Sequence, residues 1–113
     1  IKVLKYLMQN PNPKQSIEYN DNRISLYSAQ IGICPISKEF LEIENMECHH
    51  KVPKIQGGKD CYSNLILIKT EVHKLIHSTN VETINKYIKM LNIDKTALNK
   101  VNKLRILVGN LEI

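Results

Sequence analysis

The stretch that decides the fold is Cys48-His49-His50-Lys51-Val52-Pro53, taken together with Gly57-Gly58, Asn64-Leu65 and the pair His73 and His77. All four histidines of the chain lie between residues 49 and 77. Two of them are adjacent, and the other two are four positions apart, a spacing that puts both side chains on one face of a helix. The pattern predicts a strand and a helix that gather imidazoles at one place.

The two histidine pairs have different geometric consequences. On a helix, His73 and His77 lie one turn apart, so both imidazoles can reach a single metal ion. On a strand, neighbouring side chains point to opposite sides. If His49 also reaches the metal, His50 faces elsewhere and is free to take a proton from water. A phosphodiester hydrolase needs both a cation at the scissile phosphate and such a base.

Apolar periodicity predicts the elements around these histidines. A first strand is expected at residues 46–51 and a second at 64–68, where a continuous apolar run indicates that both faces are covered. Thr70 is the expected cap of the histidine-bearing helix. Two closing helices are expected at 81–91, with a capping box of Thr79 and Glu82, and at 94–108.

The N-terminal part of the chain contains a break. Asn10-Pro11-Asn12-Pro13 disfavours regular structure, because each proline lacks a donor and biases its predecessor to an extended conformation. Residues 1–9 form either a short helix or the tail of an upstream element. Since the chain begins at Ile1, we expect a piece of a longer polypeptide, with residues 1–15 as a linker from an upstream domain and 16–113 as one domain. A helix capped by Asn22 and stopped by Gly32 is expected next.

Charge and cysteine content narrow the class of protein. The net charge is +5, and residues 49–77 carry five lysines against Asp60 and Glu71. This excess of positive charge is expected on a surface that binds a polyanion. It is equally expected if the lysines only keep exposed helix faces in contact with water. The three cysteines form no disulfide framework and no Cys-x-x-Cys pair, which predicts a reducing, cytoplasmic setting. No apolar run is long enough for a membrane span, so no membrane partner is expected.

The full set of motifs resembles the HNH, or ββα-metal, nucleases in His49-His50-x-x-Pro53, Gly57-Gly58, Asn64-Leu65 and His73-x-x-x-His77. The resemblance is closer to the C-terminal endonuclease domain of group II intron-encoded reverse transcriptase/maturases, and it covers roughly residues 10–110. The motifs that carry it are Tyr27-Ser28-Ala29-Gln30, Met46-Glu47-Cys48-His49-His50, Gly57-Gly58-Lys59-Asp60 and Val72–His77, with the flanks 10–13 and 104–110.

The resemblance implies an α+β fold in which an antiparallel β-hairpin and a metal helix are braced by helices before and after. It also implies site roles. His50 would be the general base, Asn64 would hold the hairpin loop that orients it, and His49, His73 and His77 would bind the metal. In HNH relatives with fewer histidine ligands, the residue matching Asn64 coordinates the metal instead, so both roles stay open for it.

The resemblance and the ligand chemistry point to different metals. The intron enzymes imply magnesium, whereas three imidazoles favour zinc, manganese or nickel. Many HNH domains also carry two Cys-x-x-Cys pairs for a structural zinc. Here these positions read Cys34-Pro35-Ile36-Ser37 and Lys69-Thr70-Glu71-Val72, so three of four ligands are missing and no structural zinc is expected.

The function implied is metal-dependent cleavage of double-stranded DNA, specifically nicking one strand of an intron target to leave a 3′-OH primer for reverse transcription. Intron RNA would be a partner through the full-length protein, and Lys51, Lys54 and Lys74 would contact DNA. Two alternatives remain: a nucleic-acid-binding module with a decayed HNH site, and a structural metal-binding domain that uses Cys48, Cys61 and histidines.

Overall fold

An antiparallel hairpin stands at the centre of the fold. Its strands are β1 (Glu47–His50) and β2 (Leu65–Ile68) in the computed structural model, which describes residues 2–113. Glu47 pairs with Ile68 and His50 with Leu65. Both strands were predicted; β1 is one residue shorter than expected at each end, and β2 is one residue shorter at its start. Three of the four side chains of β2 are fully buried, as its apolar run indicated.

Helices precede and follow the hairpin along the chain. Within residues 2–113 they are α1 (Lys2–Gln9), α2 (Ile17–Ala29), α3 (Thr70–His77), α4 (Val81–Met90) and α5 (Lys95–Leu107). Helix α2 packs on β2, while α4 and α5 pack on α3. The predicted α+β class, a ββα unit braced by flanking helices, is confirmed. None of the helices described is both long and apolar enough to cross a membrane.

Helix α2 begins earlier than the sequence predicted. Ser16 is its N-cap, and the Ser16 hydroxyl oxygen accepts a hydrogen bond from the Tyr19 amide at 2.9 Å. The predicted cap, Asn22, lies inside the helix instead. The prediction was wrong because the first turns of α2 are rich in polar residues, which hide the apolar period that marks a helix start. Gly32, at φ 66°, follows the helix end at Ala29.

The caps of the later helices were predicted with mixed success. Thr70 is the first residue of α3 rather than its cap, and the Asn45 side chain accepts from the Thr70 amide at 3.0 Å. For α4 the cap is Asn80, which accepts from the Thr83 amide, so the box predicted at Thr79 was wrong. Helix α5 was predicted to run from Asp94; it begins one residue later, at Lys95, and Asp94 is its N-cap.

The segment before residue 16 packs on the rest of the structure. Leu7 of α1 is buried, and α1 lies against α2. Beyond the break, the Asn20 side chain accepts from the Asn12 amide at 2.7 Å and donates to the Asn12 carbonyl at 3.0 Å. The domain boundary near residue 15 stays a prediction; in this structure residues on both sides of it contact α2.

Arg105 of α5 is a buried cation at the C-terminal end of α3. Its exposed fraction is 2%, and it forms no ion pair with a carboxylate of residues 2–113. The guanidinium instead donates to the carbonyls of Leu75 (2.6 Å), Ser78 (2.8 Å) and Leu111 (2.8 Å). The last carbonyls of a helix lack partners within it and carry partial negative charge. Arg105 therefore stabilises the end of α3 next to His77.

We predict that Arg105→Met lowers the free energy of unfolding by about 2–4 kcal/mol, because several buried carbonyls lose their donor. Urea denaturation followed by circular dichroism measures the change. Lys103→Met, at an exposed position of the same helix, is the control. Equal stability of the two variants would show that the end of α3 does not depend on the guanidinium.

Candidate active site

Three imidazoles from two different elements meet beside the hairpin. The ring centroids lie 5.1 Å apart for His49 and His73, 5.3 Å for His49 and His77, and 4.6 Å for His73 and His77. One ring nitrogen from each lies within 4.8 Å of the others. His49 comes from β1, and the other two lie one turn apart on α3. The structure thus brings together the three residues that the sequence predicted as ligands.

The chemistry of these three side chains fits a metal ion. His49 is only 3% exposed, and its Nε2 atom is buried without a hydrogen-bond partner in residues 2–113. An unpartnered buried polar atom is costly unless a ligand satisfies it. Burial, reinforced by the two neighbouring imidazoles, lowers the pKa of His49 to about 3, and burial lowers that of His73 to about 4. Both rings are therefore neutral near pH 7, the form that binds zinc and other transition ions.

His50 takes part in a different set of contacts. Its Nε2 lies 2.7 Å from Oδ1 of Asp60, and its ring stacks on Tyr19 with centroids 5.6 Å apart and planes 20° apart. The Nδ1 atom makes no hydrogen bond within the described part of the chain. One nitrogen of His50 is thus held by a carboxylate, and the other is available to a molecule in the cleft.

Asp60 is a site residue for which the sequence analysis predicted no role. It is 9% exposed, and its Oδ2 accepts from the Ser16 hydroxyl at 2.6 Å and pairs with the Lys54 ammonium at 3.2 Å. Hydrogen bonds from Ser16 and then from His50 lower the pKa of Asp60 to about 2. The carboxylate only accepts, so the proton on the neutral His50 ring resides on Nε2 and Nδ1 is left as an acceptor.

Asn64 closes the loop that carries Asp60. Its side chain accepts from the Val52 amide at 2.9 Å and donates to the carbonyls of Val52 (3.1 Å) and Lys59 (2.9 Å). The loop is tight, since a Cβ on Gly58 would lie 1.8 Å from the Val52 oxygen. All these partners of Asn64 are backbone groups, so its side chain holds the loop and is not part of the imidazole cluster.

A cleft of about 460 Å³ connects the histidines. It is lined by all four of them and by Tyr19 and Lys54, among others. The lysines predicted to contact DNA are therefore not equivalent. Lys54 lies at the cleft, Lys51 lines a separate groove, and Lys74 is exposed on α3.

Comparison with known proteins agrees with this geometry. Residues 34–79 match the HNH endonuclease family model. The matched HNH segment contains β1, β2 and α3, with all four histidines, Asp60 and Asn64. No curated protein and no solved structure gives a significant match.

Helix α2 and its cap lie outside the matched HNH segment but contact the side chains of the site. Ser16 and Tyr19 contact Asp60 and His50, as described above. Gln30, just past the end of α2, donates to the Leu67 carbonyl at 2.9 Å and accepts from the Leu67 amide at 3.0 Å. Residues before position 34 thus hold Asp60 and His50 in place and bind the second strand of the hairpin.

Replacing His49, His73 or His77 by Ala should each weaken metal binding by more than the roughly 10- to 100-fold typical of an outer partner, because each removes a ligand. Titration calorimetry with Zn²⁺, Mn²⁺ and Ni²⁺ measures the affinity. His50→Ala is the matched control and should bind metal like the wild type. If the three variants and the control bind alike, the cluster is not the metal site.

Proposed function

We propose that this protein is a metal-dependent DNA endonuclease. The observation that carries the proposal is one cleft in which three imidazoles converge beside a fourth histidine held by a carboxylate. Hydrolysis of a phosphodiester needs these two components together. The match of residues 34–79 to the HNH endonucleases supports the same reaction class.

The proposed roles follow from the contacts of each side chain. His49, His73 and His77 would hold the divalent ion, which when bound supplies positive charge to the scissile phosphate and the leaving oxygen. His50 Nδ1 would accept a proton from the attacking water. Asp60 would keep the ring in the required tautomer and orientation, and would stabilise the positive charge that the ring gains. Asn64 acts one step further out, by holding the loop that positions Asp60.

Double-stranded DNA is the proposed substrate. Its phosphates would meet the basic side of the chain, with Lys54 closest to the cleft and Lys51 and Lys74 further away. Such contacts are made to phosphates and give little sequence preference. With about half of the five lysines in residues 49–77 engaged, the slope of log K against log [salt] is expected to be roughly −2 to −4.

A finer proposal is that the cut is the nick that primes reverse transcription at a group II intron target. Its support is the motif resemblance over roughly residues 10–110, in which intron RNA would select the target through the full-length protein. The same resemblance favours magnesium, and the imidazole ligands favour zinc, manganese or nickel. A reducing cytoplasmic setting stays a prediction from the three cysteines.

A purely structural metal site has less support. The cluster of metal-binding groups consists of histidines alone, and neither Cys48 nor Cys61 belongs to it. Burial raises the pKa of the Cys48 thiol to about 11, which disfavours the thiolate that binds metal. Cys34 is fully buried in the apolar core. A decayed nuclease is also less well supported, because His50, Asp60 and the three imidazoles, the groups that the proposed reaction needs, lie close together.

We expect His50→Ala to lower the cleavage rate by about 10²- to 10⁴-fold, the usual contribution of a general base. Nicking of supercoiled plasmid with Mg²⁺, Mn²⁺, Zn²⁺ or Ni²⁺ measures the rate, and calorimetry checks that metal binding is unchanged. The control is Tyr62→Ala. Tyr62 lies in the segment between β1 and β2, is 46% exposed and does not line the cleft. Cleavage by His50→Ala at the wild-type rate would contradict the assignment.

Asp60→Asn should lower the rate by on the order of 10- to 100-fold, as for other outer partners of site histidines. The amide keeps the shape of the carboxylate but loses its charge and can present a donor to Nε2, which favours the wrong tautomer. Nitrogen chemical shifts of His50 report the tautomer directly, independently of stability. Lys59→Ala, at the exposed neighbouring position, is the control. If the tautomer of His50 and the cleavage rate were both unchanged, Asp60 would only stabilise the loop and would not orient His50.

A further inference from the structure

A second concave surface lies between the hairpin and α5, outside the histidine cleft. Its volume is about 330 Å³, and its floor is aliphatic: Ile36, Ile66, Leu104 and Leu107. Leu107 is 42% exposed, so part of this floor faces solvent. We call this surface, together with the three lysines around it, the lysine groove.

The rim of the lysine groove carries unneutralised positive charge. It is formed by Lys51, Lys100 and Lys103, and no acidic side chain among residues 2–113 lines the groove. None of these lysines forms an ion pair within the same residues. The Lys100 ammonium has only the Pro35 carbonyl, at 3.5 Å, and the neighbouring Lys38 lowers its pKa. Like charges held together in this way attract a polyanion.

The lysine groove adjoins the cleft along the hairpin. Lys51 directly follows His50, and its amide donates to the Asn64 carbonyl at 2.8 Å, which continues the strand ladder by one rung. His50 lines the cleft, whereas Lys51 lines the groove. The two surfaces are therefore lined by consecutive residues of the chain. Because consecutive side chains of an extended segment point to opposite sides, a strand that leaves the cleft would pass around the hairpin at Lys51 to reach the groove.

We propose that the lysine groove binds a single nucleic-acid strand that continues from the cleft, with phosphates on the lysines and one unstacked base on the aliphatic floor. This rests on the proposed function for naming nucleic acid as the ligand. Proteins that bind single strands combine a basic groove with aromatic side chains on which bases stack, and in the lysine groove aliphatic side chains would take the place of the aromatic ones. Base contact here would be apolar and without sequence preference.

The size of the groove favours a nucleotide over an acidic amphipathic helix of another protein. A volume of 330 Å³ is at the small end of ligand pockets, which begin at about 300 Å³. A helix with its side chains is about 10–12 Å across and needs a longer groove with several anchor positions. A flat base with its phosphate needs one apolar surface and one cation, both of which are present.

The charge of the groove is tested with Lys100→Gln/Lys103→Gln. The control is Lys86→Gln/Lys89→Gln, which removes the same charge from exposed positions of α4. Fluorescence anisotropy with a labelled 20-nucleotide strand, in EDTA so that no cleavage occurs, gives the affinity across a salt series. We expect the groove variant to bind about tenfold more weakly and to reduce the salt slope by about 1.4, for two lost contacts on a single strand. The control should change affinity much less.

The floor is tested separately with Leu107→Ser, a position exposed enough for the fold to accept serine. Ile106→Ser is the control, because Ile106 is 54% exposed and does not line the groove. We expect Leu107→Ser to weaken binding of the single strand more than binding of a duplex of the same sequence, since only an unstacked base reaches the floor.

Two results would overturn the proposal. If groove and control variants weaken binding equally, the lysines contribute only net charge. If the groove variant keeps its affinity for the strand but loses binding of a polyglutamate peptide, the occupant is an acidic protein segment. Plasmid cleavage by the wild type separates this proposal from the nuclease: selective loss of strand binding without any cleavage supports the groove and contradicts the nuclease. Cleavage together with unchanged strand binding contradicts the groove alone.

Discussion

The site depends on the docking of α3 against the hairpin, since this contact alone brings His49 to the two histidines of the helix. Helix α3 has eight residues, and a helix that short is unstable by itself in water. Its two ends are fixed from elsewhere in the chain: Asn45 binds the first turn and Arg105 binds the last carbonyls. A buried apolar face, with Val72, Leu75 and Ile76 at 0% exposure, completes the attachment. The contacts that stabilise α3 are therefore also the contacts that hold His73 and His77 in position beside His49.

Much of the site was predictable from two local periods. A spacing of four residues on a helix and adjacency on a strand determine which side chains share a face. This was enough to put His73 and His77 on one face, to turn His50 away from His49, and to locate both strands to within a residue at each end. That His49 joins the two histidines of the helix was implied by the resemblance to the HNH nucleases. Apolar runs located the short strands and the later helices, and the resemblance to the HNH nucleases supplied the α+β arrangement that joins them.

The remaining features come from contacts between residues distant in sequence. Asn45 caps a helix that starts 25 positions later, and Arg105 binds carbonyls at the end of α3 and at Ser78 just past it, 27–30 positions away. Asp60 reaches His50 only because Asn64 closes a loop whose path no periodicity describes. The sequence contained a weak signal, an aspartate two positions after Gly57-Gly58. The side chain of such a loop residue can point in many directions, so the sequence alone did not predict its contact with His50. Helix α2 was misplaced at its start for a related reason, since its polar first turns carry no apolar period.

X-ray absorption spectroscopy of the zinc-loaded protein tests the central claim that three imidazoles form one metal site. We expect the zinc to be bound by nitrogen and oxygen atoms only, with Zn–N distances of about 2.0–2.1 Å and three histidine ligands. His73→Ala should then show one imidazole fewer. A sulfur ligand at about 2.3 Å would place a cysteine in the site and contradict the account. So would a spectrum of the wild type that shows fewer than three imidazoles.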